Sequence, residues 1–110
     1  MASPQLEDGY TMMANEILDE IVKINLSPYE TRVLWFIIRK TYGWHKKTDW
    51  IALSQIIEGT GIKKPHVCRT IKSLRRRNLI IRPDSKHAGF QKDHTKWLRN
   101  SYVTRVESYL

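Results

Sequence analysis

Apolar positions recur along the chain with helical or alternating spacing, and each pattern predicts an element. Met13, Ile17, Ile21 and Ile24 fall four, four and three residues apart, on one side of a helix that Thr11 is placed to cap. Glu16, Asp19 and Glu20 take its other face. A second helix opens on Ser27, with Pro28 at its first position and Glu30 completing a Ser-x-x-Glu capping box. The run Val33 to Ile38 has the propensity of a strand, but the box and the unbroken length to Tyr42 favour a helix buried on most sides and stopped by Gly43.

After the basic turn His45-Lys46-Lys47, Trp50 and Ile51 predict one short strand. A brief helix follows, with Leu53, Ile56 and Ile57 turned inward, ending in the tight turn Gly59-Thr60-Gly61. The next helix runs from about Lys64 to Arg77, with Val67, Ile71 and Leu74 as a narrow apolar stripe. Pro65 is tolerated only in a first turn, which fixes the start, and Asn78 suits the left-handed position that closes such a helix. Leu79-Ile80-Ile81 reads as a strand and Ser101 to Val106 as its partner, across a long polar hairpin from Pro83 to Asn100. Trp35, Trp44 and Trp50 are read as core, and Trp97, in the hairpin, as core ahead of the alternative that it stacks on a base. Residues 1–10, with Pro4 and Gly9 and no periodicity, form an arm ahead of one domain at 11–110. The fold class predicted is mainly α with a small β-hairpin, a winged helix-turn-helix.

Composition narrows the function. The chain has 110 residues, 41% of them hydrophobic, enough for one compact core. The longest apolar run is far short of the roughly 20 residues a membrane span needs, and no secretion signal is read at the N-terminus. Cys68 is the single cysteine, so no internal disulfide or Cys-x-x-Cys zinc site is expected, and the expected location is a reducing cytoplasm. His66 and Cys68, two apart on a helix, aim at different faces, so no metal is expected. Without a phosphate-binding glycine loop, acids paired beside a histidine, or a nucleophile with a base, no enzyme and no cofactor are expected. Charge says more. Residues 1–31 carry six acids against Lys23, whereas residues 63–86 carry nine bases against Asp84, within a net charge of +8. That concentration is the footprint of a nucleic-acid surface.

A short helix, a glycine turn and a longer basic helix place the second helix in the major groove of double-stranded DNA. Arg69 is the candidate base reader, because its planar fork matches two acceptors of guanine. Lys63, Lys64 and Lys72 are candidate phosphate contacts, Arg76 is a further candidate DNA contact, and His66 lies near the edge of the same face. Ser54 and Gln55, at the start of the preceding helix, are placed to hold the facing strand. Lys86, His87, Gln91 and Lys92 belong to the wing, which reaches a neighbouring groove. Arg75 and Arg77 are read as solvent or packing residues.

The strings Pro4-Gln5-Leu6-Glu7-Asp8-Gly9-Tyr10-Thr11, Ala14-Asn15-Glu16-Ile17-Leu18, Arg32-Val33-Leu34 and Ile37-Ile38-Arg39-Lys40-Thr41-Tyr42-Gly43-Trp44 resemble the N-terminal domain of the phage replication protein O family. The resemblance runs through Trp50-Ile51 and Leu53-Ser54-Gln55 into the helix-turn-helix, covering residues 4–82. It implies a winged-helix domain that recognises repeated sites at a phage replication origin, often as a homodimer. It also implies a C-terminal region, absent from this chain, that recruits helicase-loading proteins. Two other functions use the same features: a winged-helix transcription regulator, and a replisome protein-interaction module.

Overall fold

The computed structural model describes residues 2–5, 7, 9–42 and 48–98. Among the described residues there are four helices and a small sheet: α1 (Asn15–Ile21), α2 (Pro28–Tyr42), β1 (Asp49–Trp50), α3 (Leu53–Thr60), α4 (Lys64–Arg76), β2 (Ile80–Ile81) and β3 (His87–Phe90), then a 3-10 turn at His94–Lys96. The described part is mainly helical.

The central helix is α2, packed against α3, α4 and β3. Its start is the capping box read from the sequence: Ser27 N–H donates to Glu30 Oε1 at 3.0 Å, and Glu30 N–H donates to Ser27 Oγ at 3.1 Å. Glu30, Val33, Leu34, Ile37, Ile38 and Thr41 are buried, a stripe of helical period down one side. The helix is therefore one-sided rather than buried all round. Trp35 falls off the stripe and is 38% exposed, not core. Trp50 is also outside the core, 51% exposed, because strand neighbours alternate and Ile51 takes the inward position. Trp97 is core, at 5% exposure, packed on Phe90 with ring centroids 5.5 Å apart. Gly43, Trp44 and the basic turn at 45–47 lie outside the described residues.

Helix α1 starts later than expected. Thr11 does not cap it; Ala14 does, in extended conformation and through its backbone carbonyl. Ile17, Ile21 and Ile24 still reach the core. The acidic face is tied to the body where Glu16 Oε1 meets His94 Nε2 at 2.8 Å.

Helices α3 and α4 are joined by a turn in which only Gly61 is left-handed (φ 74°). Gly59 is helical, and it is glycine for a different reason: a Cβ there would run into the Phe36 ring of α2. Pro65 sits in the first turn of α4, and Asn78 takes the left-handed conformation (φ 60°) just past its end, as expected.

The sheet differs from expectation. β2 pairs with β3, Ile80 opposite Phe90 and Ile81 opposite Gly89, so the partner strand is His87–Phe90. Residues 101–106, expected in that place, lie outside the described residues. The short connection is explained by its turn chemistry: after Pro83, the Asp84 carboxylate accepts the N–H groups of Lys86 and His87 at 2.8 and 2.9 Å. β1 joins the other edge of β3, giving the antiparallel order β1-β3-β2.

Among the described residues, the Glu30–Arg77 ion pair is buried with the apolar core. Arg77, 2% exposed, donates from Nη1 to both Glu30 carboxylate oxygens at 3.1 and 3.0 Å, from Nη2 to the Asn25 carbonyl and from Nε to the Leu98 carbonyl. Arg77 thus clamps the end of α4 to the start of α2 and to the last described residues, which makes it a packing residue.

Candidate nucleic-acid interface

The surface of α4 is set by the phase of its buried residues. Val67, Thr70, Ile71 and Leu74 face inward, so helical spacing turns Pro65, Arg69, Lys72 and Arg76 outward together, and all four are exposed or nearly so. Lys63 and Lys64 are exposed where the helix begins. Five of the basic residues singled out from sequence therefore form one continuous surface with Arg69 near its middle.

Arg69 reaches the surface but is not loose. Its Nη2 lies 2.7 Å from His66 Nδ1, and Nε is 3.4 Å from the Pro65 carbonyl. His66, half-buried on the α2 side of the helix, packs on Tyr29 with centroids 5.2 Å apart. Tyr29 in turn lies beneath the Arg32 guanidinium, which donates to the Thr60 carbonyl at the end of α3. Tyr29 and Arg32 were not singled out from sequence, since neither stands out until α2 and α4 are packed together.

At the start of α3, Ser54 is exposed, while the Gln55 side chain is occupied within the fold, where its Oε1 accepts the Ala52 N–H at 2.8 Å. This is half of a capping box with alanine in the serine place. On the hairpin, Lys86 is exposed at the tip and His87 Nδ1 lies 3.0 Å from both Asp84 oxygens. The Asp84 carboxyl is held below its usual range by the Lys86 N–H first and then by His87. Gln91 and Lys92 are not at the tip. The Lys92 ammonium lies 4.7 Å above the Tyr42 ring, beside Met12 and Met13, and Gln91 adjoins the end of β3. Sequence distance alone places all four on one projection.

Between α4 and the hairpin runs a groove of about 470 Å³, lined by Cys68, Ile71, Lys72 and Arg75 of α4, by Leu53, and by Arg82, Asp84 and Ser85. Arg75 and Arg82 were not among the candidate contacts. The available signal was the helical spacing of Cys68, Lys72 and Arg75, which share one edge. Among the described residues, no three His, Cys, Asp or Glu side chains cluster as metal ligands would, and no helix is long and apolar enough to cross a membrane.

The class defined by these features is a small, mainly helical domain whose second helix of an α3–turn–α4 unit carries an exposed basic face beside a β-hairpin. The chain belongs to the bacteriophage replication protein O family, whose pattern it matches over residues 3–97. It is similar to DNA replication protein gp18 of Salmonella phage P22, 33% identical over 93 residues, covering 84% of this chain and 34% of that protein. Replication protein 15 of Enterobacteria phage phi80 is 35% identical over 96 residues, covering 84% and 32%. Replication protein O of Escherichia phage lambda is 34% identical over 92 residues, covering 84% and 27%. The chain spans about a third or less of the length of these curated relatives. No solved structure matches it significantly.

Proposed function

We propose that this domain binds double-stranded DNA in a sequence-specific way, as the origin-recognition part of a phage replication initiator. The carrying observation is the exposed basic face of α4, set directly opposite its buried stripe. In this reading the fold works as a winged helix. Helix α4 enters the major groove and the β2–β3 hairpin is the wing. Arg69 reads a base, giving up its contact with His66 to do so. Lys63, Lys64, Lys72 and Arg76 meet phosphates, and Ser54 with the start of α3 holds the facing strand. Lys86 carries the wing contact, with His87 fixing the tip through Asp84. Membership of a replication family, with relatives named as replication proteins, favours an origin over a promoter as the target.

Binding should weaken steeply with salt, because neutralising phosphates releases counterions. Roughly five contacts at about 0.9 each give a log–log slope of magnitude about 4 or more per domain. Fluorescence anisotropy of a labelled duplex across a salt series measures it. A slope near zero, or no binding, would leave the protein-interaction reading instead.

A further inference from the structure

The groove between α4 and the hairpin carries a charge arrangement that is incomplete as it stands. Arg82 Nη2 donates to the Ser85 carbonyl at 2.6 Å. Its Nη1 is withdrawn from solvent and has no hydrogen-bond partner among the described residues. A buried, charged N–H without an acceptor is costly. The neighbouring charges add to the cost. Burial first, and the Arg75 guanidinium next, pull Arg82 below the usual guanidinium range, against the smaller opposing effects of Asp84 and Cys68. Lys72 lines the same groove. Asp84 is the one carboxylate among the lining residues, and it is engaged with the Lys86 and His87 N–H groups and the His87 ring. Three cations thus converge on a groove floored by Leu53 and Ile71, with one donor left over.

We propose that this groove is a phosphate site, taking a phosphodiester of a DNA backbone that passes between the second helix and the wing, with Arg82 and Arg75 as its forks and Lys72 as a third cation. A phosphate oxygen supplies the acceptor that Nη1 lacks, and the negative charge of the group relieves the repulsion between Arg75 and Arg82. The apolar floor suits the sugar attached to it. The identity of the phosphate's source rests on the DNA reading above; the existence of an anion site does not.

Cys68 provides the readout, since it lines the groove and is the chain's single thiol. Its alkylation by the neutral reagent N-ethylmaleimide is timed with and without inorganic phosphate, and then with a short duplex of mixed sequence, which suffices because phosphate contacts are blind to sequence. Wild type is compared with Arg82→Gln, and with Arg75→Gln, whose exposed position spares the fold; circular dichroism checks both. The expected result is that phosphate and duplex each slow alkylation of wild type, and that Arg82→Gln loses the protection. Each variant should bind the duplex about tenfold more weakly, with a salt slope shallower by about 0.9. Unchanged duplex affinity and slope in both folded variants, with wild type binding normally, would overturn the groove as a phosphate site while leaving DNA binding intact. Arg82-dependent protection by phosphate in a protein that binds no duplex would keep the anion site and overturn DNA as its source.

Discussion

Glu30 serves three neighbours with one carboxylate. It closes the capping box at Ser27 and neutralises Arg77, while also accepting the Ser73 hydroxyl at 2.8 Å. Burial alone would raise its pKa, but the hydrogen bonds from Ser27, Ser73 and Arg77 outweigh burial and hold it below the usual value. A carboxyl depressed in the folded state contributes stability that is fully present above the unfolded value of about 4.3 and is lost as pH falls through the folded value. Thermal melts of the wild type should therefore show a falling Tm on acidification below about pH 5. Glu30→Gln should remove that part of the dependence. It should also cost about 3–5 kcal/mol at neutral pH, because Arg77 is left buried without its counter-charge. Arg69 makes a different kind of prediction. Its fork sits mid-helix, and a bidentate base contact contributes about 1–3 kcal/mol of discrimination. On a duplex obtained by selection, Arg69→Ala should lose roughly ten- to a hundredfold in affinity and relax preference at one base pair. Lys72→Ala should weaken all sequences alike. Equal loss for every sequence in the Arg69 variant would assign it to phosphate.

At the scale of elements, what could be read in advance was what is local. The α2 box, Pro65 at the start of α4 and Asn78 at its end depend on residues within one turn of each other, so their chemistry shows in the string. The exposed face of α4 was legible for the same reason: the phase of Val67, Ile71 and Leu74 dictates it. Three things were not legible. Trp35 and Trp50 were assigned by residue type, where helical and strand phase decides. The partner of β2 depends on a turn held by Asp84, whose hydrogen bonds make a short hairpin better than a long one. Arg77 is buried only because Glu30, 47 residues earlier, meets it. Gly59 belongs with these, since its neighbour Phe36 is on another helix. An exposed helical glycine usually gains about 1 kcal/mol on change to alanine. Here Gly59→Ala should instead cost about 1–3 kcal/mol, as overpacking between α2 and α3. Adding Phe36→Leu should return much of it, and urea melts of the single and double variants test the coupling.

Over the whole molecule, charge and topology are both segregated. Six of the seven charged residues in 1–31 are acids, and of these Glu16 is tied to His94, beyond β3. Topology has a temporal consequence. β3 is the last in sequence of the three described strands yet lies between the other two, so neither β1 nor β2 has its partner until residues 87–90 join. Helices α3 and α4, by contrast, pack across a turn only a few residues long. Helical turns form faster than hairpins, and the β1–β3 pairing must close the long loop between residues 50 and 87. The folding barrier should therefore be crossed with the helices associated and the sheet still open. Matched truncations can read this. Ile56→Val in α3 and Ile80→Val in β2 remove the same methyl group from buried positions, at about 1 kcal/mol each. In stopped-flow chevrons, Ile56→Val should mainly slow folding and Ile80→Val should mainly speed unfolding, by up to about fivefold. The strand order then makes the β2–β3 hairpin the last of the described elements to be secured and the first to be released.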